Sequence, residues 1–339
     1  MGDIIHTMPA ITDAVHSVNH IKFDWVVEES FEDIALWHPA VENVIPVAMR
    51  RWRRNPIKAL LSGEWSHFKK ELRDQEYDCI IDAQGLIKSA FITRRARGIS
   101  HGLDKASARE PSASRAYQYV HFVPKKQHAI QRVRKLFADS LHYPMPESRP
   151  DYGLDKNYFT AGEPQNEYAV FLHGTTWPSK HWPEQYWKQL AEIVVADGRD
   201  VFLPWGSETE KKRADFIAHY ITQSKGHIKI LPEMDMNELA KKIAGASFVV
   251  GVDTGLAHLA AALGVPSVTL YGSTRADLTG TMGNVQKNLE VNFECAPCLN
   301  RICVYKQDAE VQPACYQTLS PEMVWAEINK LLESNQQAS

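Results

Sequence analysis

The sequence lacks several features that define common classes of protein. No run approaches the roughly 20 apolar residues of a membrane-spanning helix, and the amino end carries no secretory signal. No G-x-G-x-x-G motif follows a predicted strand, which argues against a nicotinamide dehydrogenase. The formal net charge of -3 argues against a general nucleic-acid binder. We therefore expect a cytoplasmic protein that has no nucleic-acid partner.

Cysteine is scarce, and most of it is confined to one short segment. Of five cysteines, Cys79 lies in an apolar strand pattern and is predicted to be a small core residue. The others fall within 21 residues and begin with a C-x-x-C pair: Cys295, Cys298, Cys303 and Cys315. Because cytoplasmic cysteines seldom form lasting disulfides, they are either reduced, unligated thiols or the ligands of a structural zinc ion.

The composition present is that of a globular α/β protein. Hydrophobic residues make up 44% of the 339 residues and charged residues 23%, which is enough apolar material for two cores. Strand-like runs alternate with amphipathic stretches, which favours repeated βα units. The predicted strands are 23–27, 44–47, 79–81, 119–122, 168–172, 200–203, 228–230, 248–252 and 267–271, and the predicted helices are 65–75, 129–141, 185–196, 208–222, 236–244 and 321–333.

A polar, proline-bearing region separates the two halves. Residues 144–150 and 161–166 bracket it and are typical of an interdomain linker. The predicted domains are therefore 1–155 and 165–320, followed by a closing helix and tail at 321–339.

The most informative stretch is 252–258, VDTGLAH, at the end of an apolar run. It is typical of a buried strand that turns into a helix, with Thr254 and Gly255 at the helix amino end. Unpaired N–H groups and the positive end of the helix dipole favour an anion there, and a diphosphate fits. The alternative is that Asp253 and Thr254 merely cap the helix.

Two further strand ends favour the ligand-binding interpretation. The strand at 168–172 is followed by the small, hydroxyl-rich residues 173–176 and then by Lys180, which can neutralise phosphate. The strand at 200–203 is followed by Glu208 and Glu210, which can accept hydrogen bonds from ribose hydroxyls. Ligands of open parallel sheets lie beyond the carboxyl ends of the strands, so these three segments are expected to converge.

These motifs, together with those of the amino half, resemble the lipopolysaccharide heptosyltransferases. The matching segments are 2–6 (GDIIH), 82–88 (DAQGLIK), 173–176 (HGTT) with 180–182 (KHW), and 253–258 (DTGLAH). They occur in the family's order and cover nearly the whole chain. The resemblance implies a GT-B fold, in which two doubly wound Rossmann-like domains face a cleft.

The resemblance also implies an activity. The family's inverting enzymes move L-glycero-D-manno-heptose from ADP-heptose to the Kdo of Kdo-lipid A, and no cofactor is required. Asp3 matches the catalytic base, although its residue type alone favours a helix cap. Lys180 matches the group that neutralises the departing diphosphate. The implied donor-binding residues are Thr175, Thr176, Lys180, Glu210, Met234, Asp253, Thr254, Gly255, Leu256 and His258.

A second set of positions is implied for the acceptor, whose carboxylates and phosphates suit arginine and lysine. It comprises Arg50, Arg51, Asp82, Gln84, Lys88, Arg109, His128 and Arg132. The basic run from Arg50 to Lys58 is either a solvated surface or a holder of lipid head groups. We expect a monomer that requires no metal and contacts the cytoplasmic face of the inner membrane peripherally.

One departure from the family concerns the amino end. In the family an apolar strand and a short turn precede the motif that carries Asp3, so the first sheet is expected to lack its first strand. Two other functions stay open on the sequence. One is a different nucleotide-sugar enzyme of the same architecture, either an epimerase or a heptosyltransferase acting on a later acceptor. The other is a non-catalytic nucleotide-sugar-binding module.

Overall fold

The chain folds into two compact α/β units. The computed structural model describes residues 1–160, 167–219 and 226–338. The first unit ends at Leu154 and the second begins at Asp155. The predicted linker segment 161–166 and the end of the predicted helix 208–222 lie outside the described residues.

The first unit contains five strands in two separate parallel sheets. They are β1 (Phe23–Glu28), β2 (Val41–Val47), β3 (Glu76–Asp82), β4 (Arg97–Leu103) and β5 (Tyr119–His121). One sheet has the order β1-β2 and the other has the order β3-β4-β5. The Tyr77 hydroxyl donates to Asp24 Oδ2 at 2.8 Å and so links the first strand of one sheet to the first strand of the other.

Seven helices of the first unit surround these strands. They are α1 (Gly2–Ser17), α2 (Glu32–Leu36), α3 (Met49–Arg54), α4 (Pro56–Leu61), α5 (Glu64–Glu71), α6 (Ile87–Thr93) and α7 (Ala129–Leu141). Ala10 and Ile11 of α1 share a core with Phe137 of α7. A buried ion pair also joins these helices, since Arg134 Nε donates to Asp13 Oδ2 at 2.6 Å.

The second unit is built on one six-stranded parallel sheet with the order β11-β10-β9-β6-β7-β8. Its strands are β6 (Tyr168–Leu172), β7 (Asp200–Leu203), β8 (Ile228–Ile230), β9 (Phe248–Val252), β10 (Ser267–Tyr271) and β11 (Gln286–Glu290). Its helices are α8 (Lys156–Thr160), α9 (Glu184–Asp197), α10 (Glu208–Ala218), α11 (Met236–Ala244), α12 (Gly255–Ala262), α13 (Ala276–Thr279) and α14 (Pro321–Ala338). Among the described residues, no helix has the length and apolar character needed to span a bilayer.

The strand order of this sheet creates a topological switch point. From β6 the chain runs outward through β7 and β8, then returns to β9 and runs outward in the opposite direction through β10 and β11. Every residue of β6, β9 and β10 is buried, as expected for central strands covered on both faces. The crevice beyond the carboxyl ends of β6 and β9 is therefore the ligand position that this fold favours.

Several elements of the first unit were absent from the sequence prediction, α1 and β4 among them. No helix was predicted at the amino end, but α1 begins at Gly2, so that Asp3 lies in the first turn of a helix. The strand β4 was not predicted because its sequence, RGISHGL, is only partly apolar. Its Gly102 is required by packing, since a Cβ there would lie 2.4 Å from the Tyr117 ring.

Candidate active site

In the second unit, Asp253 is the centre of the crevice at the switch point. It follows β9 directly and is 8% exposed. Its Oδ2 accepts hydrogen bonds from Lys180 Nζ and from the Thr274 hydroxyl, both at 2.7 Å. His258 Nε2 lies 3.9 Å from Oδ1. The structure thus brings together Lys180, Asp253 and His258, which the sequence analysis assigned to one site. It adds Thr274 as a fourth residue.

The charge of Asp253 is stabilised by these partners. Burial alone would raise its pKa, but the hydrogen bond from His258, the charge and hydrogen bond of Lys180 and the hydrogen bond from Thr274 outweigh burial. The pKa of Asp253 is lowered to about 2. Asp253 is therefore a carboxylate at neutral pH, and its hydrogen bond holds Lys180 Nζ at the edge of the sheet.

Thr274 is a site residue that the sequence interpretation missed. It follows β10 in the segment 271–274, YGST, which is also a strand end with small and hydroxyl-bearing residues. The same rule that identified the ends of β6 and β9 applies to this neighbouring strand. The signal was present, and applying the rule to every central strand would have included it.

The turn that carries Lys180 follows β6 and is fixed to the segment that follows β10. Lys180 closes a short 3-10 helix, Pro178–Lys180, and its side chain is 17% exposed. The hydroxyls of Ser179 and Ser273 are 3.0 Å apart in a buried contact. The residues before this turn, Thr175 and Thr176, follow β6 and are accessible. Their hydroxyl groups are available to a ligand at the sheet edge.

The amino end of α12 faces the same edge. Thr254 is its N-cap residue, and its side chain makes no capping hydrogen bond. The N–H groups of Gly255 and Leu256 have no intrahelical acceptor because they belong to the first turn. These N–H groups could donate hydrogen bonds to an anion. The His258 side chain is buried, and its Nε2 faces Asp253 Oδ1 at 3.9 Å.

Glu210 lies close to the end of β6. Its Oε2 accepts a hydrogen bond from the Gly206 N–H at 2.8 Å. A Cβ at Gly174 would lie only 2.3 Å from its Oε1, so the approach of the carboxylate depends on glycine at that position. Met234 is half-buried in the loop that follows β8, one strand further along the sheet.

In the first unit, Asp3 and Arg109 form a two-pronged ion pair. Arg109 Nη2 donates to Asp3 Oδ1 at 2.8 Å, and Nη1 donates to Oδ2 at 3.2 Å. Both side chains are about half exposed. They border a cavity of about 30 Å³ that is lined by Asp3, His6, Ala83, Gln84, Leu103, Arg109, Ala129, Arg132, Val133 and Leu136.

Arg132 contributes a second cation to this cavity. Its Nη2 donates to the Ser107 carbonyl at 2.7 Å, while its buried Nε has no hydrogen-bond partner among the described residues. Burial lowers the pKa of Arg132, and the charge of Arg109 lowers it further. An unpaired buried donor next to a second arginine favours the binding of an anion. His128 precedes the lining residue Ala129, and its Nδ1 caps α7 by accepting from the Ile130 N–H at 3.2 Å.

Asp82 shapes the cavity from behind. Its Oδ2 accepts from the Tyr117 hydroxyl at 2.6 Å, and its Oδ1 accepts from the N–H groups of Gln84 at 2.9 Å and Gly85 at 3.2 Å. These bonds hold the turn that presents Gln84 to the cavity. Lys88 is exposed on α6, which follows this turn.

Arg50 and Arg51 do not line this cavity. The Arg51 guanidinium bonds Glu64 at 2.7 Å and Glu29 at 2.9 Å. The Arg50 guanidinium lies 5.3 Å from the Phe31 ring centroid. Both side chains therefore contact neighbouring residues of the first unit and lie away from the cavity.

The four clustered cysteines lie near one another in the second unit. Burial raises the pKa of the Cys315 thiol to about 12, and the other three thiols contribute to the rise. Burial also raises the pKa of Cys295, with smaller effects from Cys298 and Cys303. Within residues 1–160, 167–219 and 226–338, no group of three or more His, Cys, Asp or Glu side chains is arranged to hold a metal ion. The choice between thiols and zinc stays a prediction.

Known proteins resemble this chain in sequence along most of its length. Residues 65–308 match the model of glycosyltransferase family 9 (heptosyltransferase). The chain is 48% identical over 342 residues to lipopolysaccharide heptosyltransferase 1 of Pseudomonas aeruginosa, and the match covers 98% of this chain and 95% of that protein.

Solved structures also resemble this chain along most of its length. The E. coli heptosyltransferase WaaC with ADP is 42% identical with a TM-score of 0.85, covering 98% of this chain and 97% of that one. The same enzyme with ADP-2-deoxy-2-fluoro heptose is 41% identical with a TM-score of 0.82, covering 97% and 96%. These similarities confirm the predicted α/β fold with parallel sheets in two domains.

Proposed function

The chain belongs to glycosyltransferase family 9, the heptosyltransferases, and from this membership we propose that it transfers heptose from ADP-heptose to the Kdo of Kdo-lipid A in lipopolysaccharide inner-core synthesis. The observation that carries the proposal is the Lys180, Asp253 and Thr274 cluster beside the open amino end of α12. The presence of ADP and an ADP-heptose analogue in the two solved relatives supports this donor.

The second unit, with the predicted boundaries 165–320, binds the donor in this proposal. The diphosphate lies at the amino end of α12, where Thr254, Gly255 and Leu256 supply N–H and hydroxyl groups. Thr175 and Thr176 donate from the end of β6. Glu210 accepts from the ribose hydroxyls, and Met234 packs against the base, because these residues follow β7 and β8 on one side of the crevice.

Lys180 stabilises the departing diphosphate. Its Nζ is already fixed by Asp253 at 2.7 Å, so little reorganisation is needed when negative charge develops on ADP. Asp253 remains a carboxylate throughout, because its pKa is about 2. Lysine and the α12 dipole together supply the positive charge that the leaving group requires.

Asp3 is the catalytic base. It takes the proton of the acceptor hydroxyl as that oxygen bonds to the anomeric carbon of heptose, while the bond to the ADP oxygen breaks and its electron pair leaves with ADP. One base and no enzymic nucleophile predict a single inversion at the anomeric carbon. Arg109 orients the Asp3 carboxylate through its two hydrogen bonds.

The first unit, with the predicted boundaries 1–155, binds the acceptor. Arg109 and Arg132 meet its carboxylate or phosphate groups, with Gln84, Lys88 and His128 around them. A lipid-linked acceptor implies that the enzyme works at the cytoplasmic face of the inner membrane. We propose that it acts there as a monomer, with the helix and tail at 321–339 completing the fold.

Replacement of Asp3 by asparagine tests the proposed chemistry. Asp3→Asn is expected to abolish transfer because it removes the base, while ADP binding, measured by calorimetry, stays unchanged because the donor residues lie in the second unit. Asp33→Asn is the matched control, because Asp33 is an exposed acid in the first turn of α2. This variant should keep both transfer activity and ADP binding. If ADP affinity falls as far as the rate, Asp3 is structural. If the wild-type protein binds ADP but never transfers, the binding-module alternative holds.

A further inference from the structure

Tyr316 is a fully buried tyrosine in the second unit. It lies in a short 3-10 helix, Ala314–Thr318, and its ring is part of the apolar core. A hydroxyl group in such a core costs free energy unless it has a hydrogen-bond partner, and phenylalanine would fill the same space without that cost. The hydroxyl of Tyr316 is therefore explained by what it contacts rather than by packing.

The partner of this hydroxyl is the backbone of Lys180. Tyr316 Oη donates to the Lys180 carbonyl oxygen at 2.9 Å. On the other side of the same residue, the Lys180 N–H donates to the Trp177 carbonyl at 3.0 Å. Asp253 separately holds Lys180 Nζ at 2.7 Å. Tyr316 and Trp177 thus fix the backbone from which the lysine side chain extends, and Asp253 fixes its charged end.

The Tyr316 ring contacts the segment that follows β10. A Cβ at Gly272 would lie 2.7 Å from the ring atom Cζ, so the ring fits there only because position 272 has no side chain. Thr274, two residues further along, is the second hydrogen-bond donor to Asp253 Oδ2. Tyr316 therefore contacts both of the segments that supply the donors to Asp253.

Other bonds keep the turn Pro178–Lys180 folded independently of Tyr316. The buried Ser179 donates its N–H to the Arg301 carbonyl at 3.2 Å and its hydroxyl to the Asn300 carbonyl at 2.5 Å. The turn is thus attached to a further segment of the second unit as well. Loss of the Tyr316 hydroxyl would therefore free one end of the turn without unfolding it.

We propose that Tyr316 is a positioning residue for sugar transfer, because it holds Lys180 where the diphosphate leaves. The inference rests on the proposed function, in which Lys180 stabilises that leaving group. A lysine side chain has many rotamers, and fixing both its backbone and its charged end leaves fewer positions for Nζ. A group held in this way needs little reorganisation as negative charge develops, so the benefit falls on the transition state.

Tyr316→Phe tests this role because it removes only the hydroxyl oxygen. We expect kcat for transfer from ADP-heptose to fall about tenfold, in line with one lost hydrogen bond, while KM for ADP-heptose changes less than about twofold. In the Lys180→Ala background the same substitution should change kcat less than about twofold, because the group that Tyr316 positions is gone. A loss of folded protein would instead lower kcat equally in both backgrounds.

Tyr168→Phe is the matched control. Tyr168 is also buried, and its hydroxyl donates to the Lys242 carbonyl at 2.9 Å, but it begins β6 and so lies at the amino ends of the strands. This variant should keep wild-type kcat. The proposal would be overturned by wild-type kcat in Tyr316→Phe, by an equal loss in Tyr168→Phe, or by a loss in Tyr316→Phe that persists in the Lys180→Ala background.

ADP binding measures the same coupling without transfer. ADP is the leaving group itself, so Lys180 meets its terminal phosphate in the proposed function, and Tyr316→Phe should weaken ADP binding about threefold by calorimetry. In the Lys180→Ala background Tyr316→Phe should leave ADP affinity unchanged, and equal weakening in both backgrounds would overturn the proposal. If wild-type protein binds ADP but never transfers heptose, the proposed function fails while this comparison still decides the role of Tyr316. Wild-type protein that does not bind ADP would overturn both.

Discussion

At the scale of single residues, Asp253 and Lys180 depend on each other. Both are largely buried at the carboxyl edge of a parallel sheet and are joined at 2.7 Å. A buried ion pair adds little to stability compared with apolar packing, but removing one partner leaves an uncompensated charge. The pair is thus better explained by the position it gives to the lysine than by its contribution to folding.

Replacement of Lys180 tests that position. Lys180→Ala should lower the transfer rate about a hundredfold or more, because it removes one preorganised electrostatic contact to the leaving group. The affinity for ADP-heptose should fall less, since the charge matters more in the transition state than in the ground state. Lys212→Ala, an exposed lysine on α10, is the control and should keep the wild-type rate. An unchanged rate in Lys180→Ala would assign phosphate stabilisation to the backbone donors alone.

The pKa of Asp253 makes a prediction about acid stability. Its folded-state pKa of about 2 lies below the ordinary value of 3.8, so folding is favoured above pH 3.8 and the gain disappears as the pH falls towards 2. The difference in pKa corresponds to about 2 kcal/mol in the free energy of unfolding. Wild-type protein should therefore unfold at a higher temperature than Asp253→Asn at pH 5, and this difference in unfolding temperature should narrow towards pH 2. A difference that does not change with pH would contradict the assigned ionisation.

At the scale of elements, the close approach of α10 to the end of β6 depends on one glycine. Gly174→Ala would place a Cβ 2.3 Å from Glu210 Oε1 and displace the carboxylate. We expect ADP to bind about tenfold more weakly, because a hydrogen bond between ribose and a charged group is lost.

A neighbouring glycine provides the control for this prediction. Gly206→Ala would place a Cβ 3.5 Å from Glu210 Oε2, which is an ordinary contact. It should keep wild-type ADP affinity by calorimetry. Equal affinities for Gly174→Ala and wild type would show that Glu210 does not bind the ribose.

The central strands of the second unit could be predicted because their sequences are continuous apolar runs. The strands β6, β9 and β10 have the predicted bounds, and so do α7 and α11. The strand β4 could not be identified in this way, since its glycines and histidine reflect contacts with residues distant in sequence, such as Tyr117. The helices α3 and α4 were missed as well, because they are polar or exposed and no apolar periodicity marks them.

The candidate site likewise contains residues that the sequence could predict and contacts that it could not. Asp253 and Lys180 follow apolar strands, so the rule for parallel sheets identified them before the structure did. The pairing of Asp3 with Arg109 could not be predicted, because 106 residues separate them and only the tertiary fold brings them together. The anchoring of Arg51 by Glu29 and Glu64 is likewise a contact between elements.

At the scale of the whole molecule, each unit has its own polar site at the edge of a parallel sheet. The first carries a carboxylate held by arginine and a cavity with a second arginine. The second carries a fixed lysine beside an open helix amino end. A base and a leaving-group site are the two parts that direct displacement at a nucleotide-activated sugar requires. Family membership assigns that chemistry to heptose.

The most direct test of this account is transfer by the purified protein to Kdo-lipid A. ADP-heptose is compared with GDP- and UDP-sugars under identical conditions, and the lipid product is detected by mass spectrometry. The account predicts one added heptose from ADP-heptose, dependent on Asp3 and Lys180, and no product from the other donors. Failure of ADP-heptose with this acceptor while the protein binds ADP, or equal transfer from a GDP- or UDP-sugar, would contradict it.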